Sequence, residues 1–359
     1  MGVEFKDISD WERLDQMNTG GTRSKYIAVC PNTKDKFYYK TSIDKYFFEF
    51  WSEIIAYQIG SMLKFNVCEY IIAYNGETVG CLSKSINSEG YSLIEGVNYI
   101  YAVDPTFLKD KNFKKKHSYQ LIKKALDKEK ISFSINKVIE MIIFDAIIGN
   151  SDRHSENWAI VVNSSEISRD HENNLNSQVE KIQKIKQHIS EFSNKKDVTY
   201  VFRKILSWYF NYQIGILEKE LDELLHNFKN SQNEFSQIYD SGSSLCRELY
   251  PSKIEILNKD NEHFKRYINK GFPDIKWDDQ KLNHFDLVKK ILEEDPETVK
   301  SILLRVQSNY DYQKIKNIID EIDVNIPEEL SYSKLPLERK EFILKYINSR
   351  ITILLKLLV

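Results

Sequence analysis

Apolar positions change their spacing once along this chain. In the first hundred residues they come in short β-branched and aromatic runs: Tyr26-Ile27-Ala28-Val29-Cys30, Phe37-Tyr38-Tyr39-Lys40, Tyr70-Ile71-Ile72-Ala73-Tyr74 and Val79-Gly80-Cys81-Leu82-Ser83. Turn formers such as Pro31-Asn32 and Asn75-Gly76 bound them, which predicts strands joined by tight turns. One segment among them, Tyr46 to Leu63, repeats Phe50, Ile54, Tyr57 and Ile55, Ile59, Met62 at helical spacing. From Asp104 onward the helical period takes over. It runs through the lysine-rich stretch 109–130 and the apolar series Ile135, Val138, Ile139, Ile142, Ile143, Ala146, Ile147. It returns from Lys281 through Leu303, Ile318 and Ile343 to Leu358. An α+β chain is expected, with its strands first and its helices after.

Between the apolar helix and the buried strand expected at Trp158 to Val162 lies Gly149-Asn150-Ser151-Asp152-Arg153-His154-Ser155-Glu156-Asn157. Gly149 is placed to end the helix in a left-handed cap. A loop held between a core helix and a core strand is rigid, and such loops are favoured sites for chemistry. Asp152 and Asn157 stand five residues apart. Protein-kinase-type phosphotransferases use that interval for the carboxylate that orients the attacking hydroxyl and the amide that reaches magnesium. Here the order is Asp-Arg-His and not His-Arg-Asp. Taken alone, the pair is equally an Asx-turn with a helix stop.

Other features fall where phosphotransfer would use them. Asn18-Thr19-Gly20-Gly21-Thr22-Arg23-Ser24-Lys25 can turn backbone N–H groups toward an anion, or form a plain hairpin turn. Lys40 ends a strand, where it could clasp phosphates. Glu53 follows on the expected helix as its partner, and Glu49, one turn earlier on the same face, competes for that role. Further on, Ile238-Tyr239-Asp240-Ser241-Gly242 sets a carboxylate beside a turn, the context of a second magnesium ligand.

Asn150 to Asn157 resembles the N-x-D-R-H-x-x-N signature of HipA-like serine/threonine kinases, including the compact CtkA-type bacterial kinases; phosphoinositide kinases carry a related D-R-H-x-x-N loop. Tyr239 to Leu245 is similar to the family's Y-D-x-G-S-S-L pattern. The resemblance implies a bilobal, protein-kinase-like fold. Its small, antiparallel β-rich N-terminal lobe would span 1–103 and its mainly α-helical C-terminal lobe 104–359. The cofactors implied are ATP and Mg²⁺, and the reaction is transfer of the γ-phosphoryl group to a Ser/Thr hydroxyl of a protein substrate. Asp152 would position the nucleophile, Asn157 and Asp240 would hold Mg²⁺, and Lys40 with Glu53 would grip phosphate. Gly20, Gly21, Thr22 and Lys25 would form the glycine loop. Ser83 and Lys84 would begin the adenine-binding hinge, and His154 would lie beside the nucleotide.

Gly20 departs from the serine usual in that family, which bears on loop autophosphorylation; Thr19, Thr22 and Ser24 are its candidate hydroxyls. A phosphoinositide kinase, or a nucleotide-binding pseudokinase acting as an interaction module, is the alternative. The family also admits a toxin with an antitoxin or other regulatory partner, a secreted effector, or a housekeeping regulator. Longer members carry a subdomain ahead of the glycine loop, and Met1 to Met17 is too short to form one.

Composition narrows the partners. The 359 residues hold 51 Lys plus Arg against 53 Asp plus Glu, a net charge of -2, which demands neither nucleic acid nor an anionic membrane. Cys30, Cys68, Cys81 and Cys246 are dispersed and read as free thiols of a reducing compartment. No signal segment opens the chain, and the tail Ile351 to Val359 is too short to span a bilayer. A cytoplasmic protein is expected. His154 and His284 have no second His or Cys at ligand spacing and read as hydrogen-bonding residues. Residues 163–233 interrupt the pattern, first rich in Ser, Asn and charge, then helical with Phe202, Trp208, Tyr209 and Phe210. They read as an insertion in the activation-segment position. It either contacts a substrate or regulatory partner, or packs on the large lobe as an elaboration.

Overall fold

The structure, a computed structural model, describes residues 2–14, 25–85, 91–107, 116–129, 131–163, 215 and 234–358. Six strands build one sheet: β1 (Phe5–Asp7), β2 (Glu12–Leu14), β3 (Lys25–Val29), β4 (Lys36–Lys40), β5 (Ile71–Tyr74) and β6 (Val79–Lys84), in the order β1-β5-β6-β4-β3-β2. Neighbours run antiparallel except β1 and β5, which are parallel. Alternation along each strand gives the sheet two apolar faces. On one, Ile72 and Cys81 join the main core with α1 (Glu49–Met62), whose Phe50, Trp51, Ile54, Ile55 and Ile59 are buried. On the other, Tyr26, Ala28, Tyr39, Ala73 and Leu82 pack with Ile8, and Trp11 leans on them. Residues 2–14, too short for a subdomain of their own, supply two edge strands and help cover the outer face.

Lys84 is the last residue that the first 103 contribute to this sheet. β7 (Tyr91–Glu95) instead pairs with β8 (Ala159–Asn163), which pairs with β9 (Glu234–Phe235). α2 (Gly96–Val103) comes directly after β7, its Gly96 pressed on the Trp158 ring with no room for a Cβ. Because β8 and β9 are neighbours, the chain leaves the small sheet at Asn163 and re-enters it alongside at Glu234.

Helices make up the remainder: α3 (Tyr119–Lys128), α4 (Ile135–Ile148), α5 (Pro251–Lys259), α6 (Asn261–Asn269), α7 (His284–Glu294), α8 (Pro296–Asn309), α9 (Tyr312–Asp320) and α10 (Leu337–Leu355). α4 is buried nearly all round, from Val138 to Ile148, and packs on α7, α8 and α10. Such a helix carries no polar face to solvent, so it is a fixed base for the loop at its C-terminus. Among the described residues no helix is long and apolar enough to cross a membrane. Among the described residues no cysteine forms a disulfide.

Gly149 ends α4 at φ 69°, ψ 39°, and its N–H returns to Asp145 O. A Cβ here would fall 2.0 Å from the Tyr346 hydroxyl. Gly149→Ala therefore combines a left-handed backbone with a clash, and we expect it to cost about 2–3 kcal/mol. Equilibrium denaturation measures it; an unchanged midpoint would contradict this account of the cap.

Candidate active site

One buried ion pair organises the loop after α4. Asp145, in the helix's last turn, accepts from Arg153 Nε and Nη2, each at 2.9 Å, with neither side chain more than 2% exposed. Burial works against the guanidinium's charge, but Asp145 outweighs it and holds the Arg153 pKa above its ordinary value. The remaining nitrogen, Nη1, donates to Asn157 O at 2.8 Å and also to Tyr239 O. A single side chain thus holds loop 150–157 beside segment 238–245. Within the loop, Asn150 Nδ2 donates to Asp145 Oδ1 at 3.0 Å, and Asn150 Oδ1 accepts from Asp152 N at 3.2 Å. Asn157 Nδ2 closes the turn on Asp152 O at 2.7 Å. The half-buried Asp152 carboxylate is held from one side by Ser243 Oγ, 3.3 Å from Oδ2.

Lys40, at the end of β4, is the second centre. Its Nζ lies 3.3 Å from Glu53 Oε1, 3.2 Å from Asp240 Oδ1 and 3.3 Å from the Tyr70 hydroxyl. Glu53 is fully buried, and its Oε2 accepts from Ser241 N at 2.7 Å. Glu49, its competitor, pairs instead with Arg247. Ser52 Oγ donates to Ser244 O at 3.0 Å, so α1 grips the segment after Asp240 at several points.

Lys25 opposes Lys40 in the β3–β4 ladder and shares its face. Ser83 opposes Tyr38, two residues from Lys40, and lies on that face too, 4% exposed. Lys84, the next residue, must point to the opposite face, where it pairs with Asp35 at 3.0 Å and is 62% exposed. Its ammonium therefore lies on the face away from Lys40. His154 Nδ1 accepts from Glu156 N at 3.3 Å. Gly20, Gly21 and Thr22 lie outside the described residues, with Thr19 and Ser24 and nearly all of 163–233.

The donors present suit magnesium carried on phosphates. Asp240 offers a carboxylate, and Asn157, whose Nδ2 is committed to Asp152 O, has an amide oxygen; both are hard oxygen donors. Among the described residues no group of three or more His, Cys, Asp or Glu could hold a metal alone. Mg²⁺ on a nucleotide needs only one or two carboxylates, because phosphates and water complete its shell.

No family model and no curated protein matches this chain. Among solved structures, it superposes on the crystal structure of a Helicobacter pylori proinflammatory kinase, CtkA, with a TM-score of 0.66. The match covers 99% of this chain and 96% of that one, at 17% identity. The fold is a kinase fold. At that identity the shared property is architecture: an N-terminal sheet followed by a largely helical part.

Two residues of the site carry little signal in the sequence. Asp145 sits inside the apolar run of α4 and is absorbed into it; a carboxylate in a helix's last turn, ahead of an arginine-bearing loop, is the available clue. Tyr70 opens an apolar strand-like run and looks like core. A further carboxyl, Glu95 at the β7–α2 junction, is pushed up to about 7 by burial and by Glu156, with Lys25 opposing.

Proposed function

We propose that this chain is an ATP-dependent kinase that transfers the γ-phosphoryl group to a Ser/Thr hydroxyl of a protein. The observation that carries the reading is the convergence of Lys40, Glu53 and Asp240 on one side with Asp152 and Asn157 on the other, bound together by Arg153. Phosphoryl transfer asks a protein for positioning and charge neutralisation more than for covalent chemistry. These residues supply both. Lys40 would hold the α- and β-phosphates, paired with and aimed by Glu53. Asp152 would orient the acceptor hydroxyl and take its proton as the oxygen bonds to phosphorus and the bond to the β-phosphate breaks. Asn157 and Asp240 would hold Mg²⁺, which supplies positive charge to the phosphate oxygens. Lys25 and the residues before it would close over the phosphates, and the backbone from Ser83 onward would meet the adenine.

Incubation with labelled ATP and Mg²⁺, then phosphosite mapping on the chain and on candidate protein acceptors, tests the reading. Label on Ser or Thr supports it. Label confined to phosphoinositides, or ATP bound without any transfer, would replace it with a lipid kinase or a pseudokinase. Asp240→Ala should weaken MgATP binding at least about tenfold, equivalent to about 1.4 kcal/mol, because the ion loses its charged ligand; calorimetry reads this directly.

The stretch 163–233 is proposed to act on the protein substrate or a regulatory partner and not on ATP. Support comes from the adjacent exit and return at β8 and β9, which a short Gly/Ser linker could join.

A further inference from the structure

Residues 66–70, between α1 and β5, hold the metal-binding segment by its backbone. Ile238 N donates to Asn66 O at 2.8 Å, Cys68 N donates to Ile238 O at 2.9 Å, and Val67 pairs with Ile238 in a parallel bridge. One more rung would send Asp240 N–H to the Cys68 carbonyl. Asp240 leaves that path, because its φ of 55° is left-handed. The Tyr70 hydroxyl receives its N–H instead, at 3.4 Å, and also accepts from Lys40 Nζ at 3.3 Å. Lys40 Nζ in turn meets Asp240 Oδ1 at 3.2 Å, which closes a ring of three contacts. Both lone pairs of the phenol oxygen are thereby used.

We propose, resting on the kinase reading above, that Tyr70 is a positioning residue: its hydroxyl fixes the Asp240 carboxylate and the Lys40 ammonium at the spacing that MgATP requires. A left-handed aspartate persists only where its surroundings hold it, and Tyr70 is the group that holds its amide. The tyrosine is 3% exposed, and its ring lies 5.4 Å from Nζ.

Tyr70→Phe in the full chain removes only the oxygen. Tyr57→Phe, whose hydroxyl bonds Glu69 at the surface, is the control. Calorimetry with ATP alone and with ATP plus Mg²⁺, steady-state kinetics and a melting curve are compared with wild type. We expect KM and Kd for MgATP to rise about tenfold in Tyr70→Phe, with a smaller fall in kcat. Magnesium-free ATP binding and the melting midpoint should stay near wild type, and Tyr57→Phe should match wild type throughout. Unchanged MgATP binding overturns the inference. So does a fall in kcat with KM unmoved, equal losses with and without Mg²⁺, or a variant that fails to fold, since each assigns the hydroxyl to packing. Wild-type protein that binds no ATP overturns the kinase reading and this inference with it; wild-type binding beside an unaffected Tyr70→Phe overturns the inference alone.

Discussion

Asp152→Asn is expected to slow phosphotransfer by about 10²–10⁴-fold while ATP affinity stays within about twofold of wild type. The reason lies in how the residue is held. Its backbone N–H is tied to Asn150 Oδ1 and its carbonyl to Asn157 Nδ2, so the loop's course does not depend on the side chain. Its carboxylate touches Ser243 Oγ, and an asparagine oxygen can accept that bond as well. What the substitution removes is the negative charge that, on the proposed reading, would orient an acceptor hydroxyl and receive its proton. No phosphate contact is lost, because the proposal gives those to Lys40 directly and to Asn157 and Asp240 through Mg²⁺. Single-turnover transfer and equilibrium ATP binding, measured on the same preparation, separate the two effects. Transfer at the wild-type rate would remove Asp152 from the mechanism. A parallel loss of ATP binding would show that the side chain holds the site together and has no separate role in the step.

How much of this is legible in the sequence depends on whether a feature is local. Asp152 and Asn157 sit on one short loop, and their interval is written directly in the chain. Lys40 and Asp240 each stand in a recognisable context, a strand end and an Asp-x-Gly turn, so each can be named without knowing where the other goes. The partner of Lys40 is different. Glu49 and Glu53 share a face of α1, and which one meets the lysine depends on where β4 ends against the helix. The packed structure decides this, because Arg247 takes Glu49. β1 and β2 are invisible for another reason: Phe5-Lys6-Asp7 and Glu12-Arg13-Leu14 are too short and charged to show alternation, as edge strands often are. The direction of the Lys84 side chain is not legible, because a hinge is read by its backbone, which says nothing of the side chain. Tyr70 and Asp145 are hidden by their apolar surroundings, and only the fold shows that each meets a distant partner.

Asp145→Ala should destabilise the protein by about 3–5 kcal/mol, the largest stability effect expected in this region. The guanidinium of Arg153 is fully buried, and two of its three nitrogens depend on that carboxylate. Asn150 Nδ2 loses its acceptor at the same time. Replacing both members, as in Asp145→Leu with Arg153→Met, removes the stranded charge and should recover most of the lost stability, since an apolar pair of similar volume is often no worse than a buried ion pair. Activity should not recover. Arg153 Nη1 is the group that binds Asn157 O and Tyr239 O, and methionine cannot hold those two carbonyls together. The double variant is thus expected to melt near wild type yet transfer phosphate at least about tenfold more slowly. A double variant that regained both stability and rate would show that the pair serves folding alone, and that loop 150–157 and segment 238–245 find their spacing without it.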